Sequence, residues 1–193
     1  MEEKKWASQL SPKRKKEFIH SRGYARLALS TRFQVNPLEI PLHSLPGQAP
    51  ELARGWGYIS ISHCKDALLI GWSEDKIGVD IERSDRLFNP EKLINLFLSD
   101  SEKETLNNKN LTSKRKLLLS NWVIKEAAIK WQRGTLYKDI KQWVLNENQS
   151  EVLHQSLKLI IKTEFITFRS WYIGIACNKK SNLSPPILCF NKL

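Results

Sequence analysis

The sequence predicts an α+β protein built as two similar halves, and three observations carry that prediction. A helical pattern followed by paired strand patterns occurs twice along the chain. The strand segments DALLIGWS and SWYIGIAC share an Ile-Gly core. Between them, KIGVDIE opens the second half, which divides the chain into residues 1–76 and 77–193 of one compact unit.

Composition sets the class. Of 193 residues, 41% are hydrophobic and 26% charged, the balance of a globular rather than a disordered chain. The formal net charge is +11, from 31 Lys+Arg against 20 Asp+Glu. Such a surface attracts nucleic acid, phosphorylated cofactors, anionic lipid or acidic proteins. Cys64, Cys177 and Cys189 are odd in number and form no CxxC pair, which argues against a disulfide framework or a cysteine zinc site. The N-terminal stretch lacks the apolar core of a signal peptide, and no segment approaches the ~18–20 apolar residues of a membrane span. The expectation is a soluble cytoplasmic protein.

The elements follow in order. Ser11-Pro12 reads as a helix start, and the segment to about Phe33 places Phe18, Arg22, Ala25 and Leu29 on one side. Pro37, Pro41, Pro46 and Pro50 then break any regular element, so this stretch is expected to wrap as a loop. YISIS, DALLIGWS and KIGVDIE read as three short strands, the first two paired around HCKD. Residues 89–133 are helical, with starts at Asn89-Pro90 and Ser99-Asp100 and a stop at Gly134. LKLIIKTEFITF and SWYIGIACN close the pattern as strands, and NLSPPILCFNKL is expected as an extended surface tail.

The chemistry starts at IGVDIE. Residues two apart on a strand share a face, so Asp80 and Glu82 project together while Val79 and Ile81 project to the buried side. Adjacent carboxylates resist joint ionisation unless a cation meets them. Hard oxygen ligands of this kind suit Mg²⁺, which takes one or two carboxylates and completes its shell with water and phosphate. The alternative is plain ion pairing with Arg83, Arg86 or lysines.

A second cluster lies about forty residues on, in NWVIKEAAIKWQRG. Glu126 and Lys130 are four apart on one helical face, the spacing of a routine ion pair worth ~0.3–0.5 kcal/mol. Yet Trp122, Val123, Ile124, Ala127, Ala128, Ile129 and Trp131 make this helix apolar over much of its circumference, so its charges need partners. Ser62-His63 closes a strand, where a histidine binds phosphate, acts as an acid or base, or simply bonds to its own loop. Arg22 and Arg26 on the first helix read as solvated charges. No phosphate-binding glycine loop, dinucleotide turn, zinc-protease motif or nucleophile elbow occurs.

Together these residues resemble the 4′-phosphopantetheinyl transferases, specifically the surfactin-synthetase-activating type. Gly78-Val79-Asp80 stands for the first half of that family's signature, and Trp122-Val123-Ile124-Lys125-Glu126-Ala127-Ala128-Ile129-Lys130 for the second. Order and distance both match. Ser62-His63 and the Arg22/Arg26 region are similar to two further family segments, so the likeness spans roughly residues 14 to 177.

The resemblance implies two α/β halves related by a pseudo-twofold axis, with CoA in the cleft between them. It implies transfer of the phosphopantetheine arm of CoA to a serine of an acidic apo carrier protein, releasing 3′,5′-ADP, by a monomeric enzyme. By position, Asp80, Glu82 and Glu126 would hold Mg²⁺, with Glu126 as base and Lys130 neutralising the pyrophosphate. Arg22, Ser62 and His63 would hold CoA phosphates, and Lys125, with Lys130, is assigned to the cofactor side.

Three departures qualify the likeness. Val123 replaces a small polar residue, and Cys64 a common serine. The family's Gly-Lys-Pro segment reads Gly47-Gln48-Ala49-Pro50, so a basic contact to CoA is either missing or supplied elsewhere, with Arg54, Lys13 and Lys65 as candidates. A nucleic-acid-binding protein accounts for the charge but leaves the carboxylates without a task, since they would repel a phosphate backbone. A metal-dependent nuclease accounts for both, though less well for the order and spacing of the motif.

Overall fold

A computed structural model of the chain describes residues 2–43, 45, 47–106 and 109–178. It begins with helices α1 (Glu2–Ser8) and α2 (Pro12–Phe33), followed by two-residue strands β1 (Leu42–His43) and β2 (Glu51–Leu52). Strands β3 (Tyr58–Cys64), β4 (Ala67–Ser73) and β5 (Ile77–Arg83) come next. Helices α3 (Pro90–Phe97), α4 (Asp100–Glu104), α5 (Leu111–Gln132) and α6 (Leu136–Asp139) lead to β6 (Trp143–Leu145). Strands β7 (Glu151–His154), β8 (Leu159–Phe168) and β9 (Trp171–Cys177) complete the described chain. The mixed α+β class is as the sequence predicts.

β3 and β4 form an antiparallel hairpin, and a second antiparallel sheet runs in the order β5-β9-β8-β7-β6. β5 is therefore an edge strand, whose N–H groups need partners. Two serines of β3 supply them. Ser60 Oγ accepts from the Val79 N–H at 3.0 Å, and Ser62 Oγ from the Ile81 N–H at 3.3 Å. Side-chain oxygens thus stand in for a ladder and lay the hairpin against β5.

Alternation along β5 sorts its residues as expected. Val79 and Ile81 enter a core shared with Ala67, Leu69, Trp171, Ile173 and Ile175. Gly78 lies against α5, where an added Cβ would fall 1.9 Å from the Ala127 carbonyl oxygen and 2.5 Å from the Trp131 nitrogen. Only glycine permits that approach. Beyond it, a second core gathers Phe97, Trp122, Ile124, Trp131 and Trp143 around α5, and a third joins Ala25 and Leu29 of α2 to Ile40, Leu42 and Ile59.

Several elements differ from their sequence prediction. α1 was not anticipated; tertiary contacts hold it, since Ala7 is buried, Trp6 meets the His43 ring edge-on, and Glu3 pairs with Arg26 at 3.2 Å. Ser11 starts α2 without a side-chain cap, its carbonyl taking the Lys15 N–H. The proline-rich stretch contains one 3₁₀ turn (Pro37–Glu39) and the β1–β2 ladder, rather than loop alone. Asn110, a third cap, starts α5 by accepting from Ser113 N–H at 2.9 Å. α5 ends at Arg133 in the left-handed region (φ 61°), one residue before Gly134. Strands β6 and β7 and helix α6 were also unanticipated; they are too short to show periodicity.

The expected surface tail and Cys189 lie outside the described residues. Cys64 and Cys177 are free thiols. No helix among the described residues is long and apolar enough to cross a membrane.

Candidate active site

Strand β5 and helix α5 meet at Gly78, and that contact brings the two halves of the motif together. Lys130 Nζ donates to Asp80 Oδ1 at 2.7 Å, and Ser62 donates its hydroxyl proton to the same oxygen at 2.6 Å. The Ser62 hydroxyl thereby uses both its functions, accepting from the β5 backbone and donating to the β5 carboxylate. Asp80 itself is 5% exposed, and its Oδ2 is buried without a hydrogen-bond partner among the described residues.

Glu82 projects on the same side and is bonded by Arg86. Burial raises its pKa and Asp80 adds to the rise, while Arg86 and Lys130 oppose it. Glu126, on α5, carries the largest perturbation of the group. Burial, with the charges of Asp80 and Glu82, pushes its carboxyl up to about 7, against the pull of Lys130 and Arg86. Three carboxylates, one lysine and one arginine therefore share one electrostatic site.

The remaining expected residues fall elsewhere. Ser62 is expected at a CoA phosphate; in the structure its hydroxyl donates to Asp80 and orients that carboxylate. His63, next along the strand, points to the opposite side, half-exposed, with Nε2 3.9 Å from Glu17 of α2. Arg22 lies on α2 with its guanidinium 4.7 Å from the Phe18 ring centre and one nitrogen 3.3 Å from Ser21 Oγ. Burial lowers its pKa, the largest influence on it. Arg26 is a clasp rather than an anion ligand, donating to the carbonyls of Ile40 and Leu42.

Lys125 requires a correction. Its ammonium is fully buried and donates to the Phe97 carbonyl at 2.8 Å and to Glu102 Oε2 at 2.7 Å. Glu102 also receives the Ser99 and Leu145 N–H groups. Burial lowers the Lys125 pKa and Glu102 opposes it. This lysine pins α3, α4 and β6 to α5 from inside the core. Adjacent helix positions point about 100° apart, so Lys125 and Glu126 serve different sides of α5.

Sequence reasoning named Arg86 only as a possible ion-pair partner, and missed Glu102. The capping box of α4 held the signal for the latter, since Ser99 and Glu102 stand three apart. Val123, the departure from the motif, is fully buried. Cys64 donates its thiol to Asp66 at 3.7 Å.

Hard oxygen donors with an orphaned buried Oδ2 fit a divalent cation, because one positive centre would satisfy that oxygen and offset both the burial and the like charges that raise Glu126 and Glu82. Among the described residues no three acidic, histidine or cysteine side chains converge into a ready-made metal cage. Mg²⁺ does not need one, since it takes few protein ligands and completes its shell with water and phosphate.

Comparison with known proteins places this site in a family. Direct comparison with curated proteins gave no match. The family model described as the 4′-phosphopantetheinyl transferase superfamily matches residues 76–178, more than half of the chain, and that span contains β5, α5 and every carboxylate of the site. With both halves of the motif joined at one buried carboxylate cluster inside the matched span, the chain belongs to the 4′-phosphopantetheinyl transferase superfamily.

Proposed function

We propose that this chain transfers the 4′-phosphopantetheine arm of CoA to a serine of an apo carrier protein, releasing 3′,5′-ADP, as an enzyme of the surfactin-synthetase-activating type. The observation that carries this reading is Glu126. Its carboxyl is pushed up to about 7 beside Asp80 and Lys130, which suits a general base working at neutral pH.

The serine hydroxyl attacks the phosphorus that bears the pantetheine, and the bond from that phosphorus to the oxygen bridging to the adenosine-side phosphate breaks. Glu126 takes the hydroxyl proton, directly or through one water, and later yields it to solvent. Lys130, held at Asp80, neutralises charge developing on the departing 3′,5′-ADP. Mg²⁺, held by Asp80, Glu82 and Glu126, would supply Lewis-acid polarisation of the pyrophosphate. Such a transfer depends on placement and charge neutralisation rather than on covalent help from the protein.

Arg22 and His63 are proposed as CoA phosphate ligands from residues 1–76, with residues 77–193 contributing the carboxylates. The matched span starts at residue 76, which supports a division there. Two α/β halves about a pseudo-twofold axis, a monomeric state and a cytoplasmic location complete the reading. The net charge of +11 suits an acidic carrier protein.

Intact mass spectrometry of an apo acyl, peptidyl or polyketide carrier protein, incubated with this chain, CoA and Mg²⁺, tests the proposal. Gain of one phosphopantetheine, abolished by EDTA and by Glu126→Gln, supports it. No gain on any of the three carriers, with no thermal shift from CoA, overturns it.

A further inference from the structure

A cavity of about 770 Å³ opens at the start of β3; of the residues named above for catalysis or CoA, only Arg54, a candidate for the basic contact, lines it. Ser62, which reaches the Asp80 carboxylate, lies four residues further along the same strand than Tyr58 of the cavity wall. Ile59 of the lining stands three residues before Ser62, about 10 Å along the strand, and Arg133 follows Lys130 by about one helical turn just past α5. The volume is that of a small-molecule site, within the ~300–1,000 Å³ such pockets span.

The wall combines two chemistries. Phe33 and Trp72 meet edge to face at 5.4 Å, with the Trp72 indole N–H fixed on the Trp56 carbonyl at 2.7 Å, and Tyr58 stands beside them. Arg32 lies over the Trp72 face at 4.5 Å, a geometry that presents a flat cation to a planar ring. Arg54 and Arg133 add two guanidinium groups. Among the described residues neither Arg32 nor Arg54 is held in an ion pair, whereas Arg133 is paired with Glu51. Glu74 is the other carboxylate of the lining, so the arginines stay in excess.

The backbone shapes this wall as well. Gly57 has φ +78°, and a Cβ there would meet the Ser73 carbonyl oxygen at 2.5 Å and Trp72 Nε1 at 2.9 Å. Only glycine lets the segment curve over Trp72 at that distance.

We propose that this cavity is a second ligand site, separate from the catalytic cluster, that takes a nucleoside diphosphate. The base stacks on the Arg32–Trp72 layer and the phosphates meet Arg54 and Arg133. The site does not depend on phosphopantetheine transfer, so the two readings fail independently.

The test is fluorescence anisotropy with an N-methylanthraniloyl derivative of ADP, titrated into the full chain with CoA and Mg²⁺ at saturation. Binding is expected to persist in CoA and to weaken at least tenfold in the Arg32→Gln/Arg54→Gln double variant, both positions being exposed and able to change without disturbing the core. Glu126→Gln is expected to leave the affinity within twofold. Displacement of the probe by CoA, absence of binding, equal binding by the double variant, or a loss on Glu126→Gln would each overturn the proposal. Matching thermal melts of the double variant and wild type separate loss of the site from loss of the fold.

Discussion

Lys130 and Asp80 are fifty residues apart in the chain and 2.7 Å apart in space, and the Asp80 oxygen that receives the lysine also receives Ser62. Three elements thus converge on one carboxylate: β3, β5 and α5. The other Asp80 oxygen is buried without a hydrogen-bond partner among the described residues. An oriented carboxylate with one oxygen unengaged is what the proposed metal-dependent transfer would use.

Glu126 gives the site a pH signature in stability as well as in rate. Its carboxyl ionises near 4.5 in the unfolded chain and near 7 in the folded one. The folded state therefore holds the extra proton, and stability falls as pH rises between those values. The loss is complete above about pH 7 and amounts to at most about 3 kcal/mol. Without Mg²⁺ or CoA, Glu126→Gln should melt higher than wild type at pH 8 and level with it near pH 4.5. The wild-type kcat should rise through neutrality in pH-dependent transfer assays, and Glu126→Gln should show no transfer at any of those pH values.

Ser62→Ala tests whether that hydroxyl positions Asp80 or binds the cofactor. Loss of its two bonds to β5 should cost about 1–3 kcal/mol in denaturant unfolding. Transfer should drop chiefly in kcat, with KM for CoA changing less than about threefold. A rise confined to KM would return Ser62 to the phosphate-ligand role expected from sequence.

Lys125→Met should destabilise the fold by about 3–5 kcal/mol, because it strands the buried Glu102 charge. Pairing it with Glu102→Gln should recover part of that loss in a double-mutant cycle by chemical denaturation. Additive losses would show that the two side chains do not depend on each other.

Gly78→Ala should be among the most damaging single-methyl additions in the chain. The new Cβ would meet backbone atoms of α5, not a flexible side chain, so helix and strand have to separate. A loss of more than about 3 kcal/mol is expected, as for severe overpacking, with transfer lost because Glu126 and Lys130 move away from Asp80. Circular dichroism melts of the variant check the first part, and carrier-protein mass gain the second.

Much of this was legible in one dimension. Alternation along IGVDIE put Asp80 and Glu82 on one face and Val79 and Ile81 on the other, because strand geometry is local. Helical spacing put Glu126 and Lys130 together for the same reason. The main strands, the starts of α3 and α4 and the end of α5 came from capping and turn chemistry within a few residues of each site.

What local chemistry cannot contain is a partner chosen from far along the chain. Lys125 stands inside the motif beside Glu126, and nothing in its spacing separates a phosphate ligand from a core ion pair. Glu102 decides that, from a capping box 23 residues away. Ser62 reads equally well as a cofactor ligand until β3 is laid on β5, where its hydroxyl faces an edge strand and a buried carboxylate. α1, β6 and β7 likewise owe their form to what they pack against, being too short to declare a period. The sequence determined the family motif and the faces its carboxylates occupy. Tertiary structure decided which charges meet, because a buried charge takes the nearest opposite partner that folding supplies, and that partner's distance along the chain is not written in either residue.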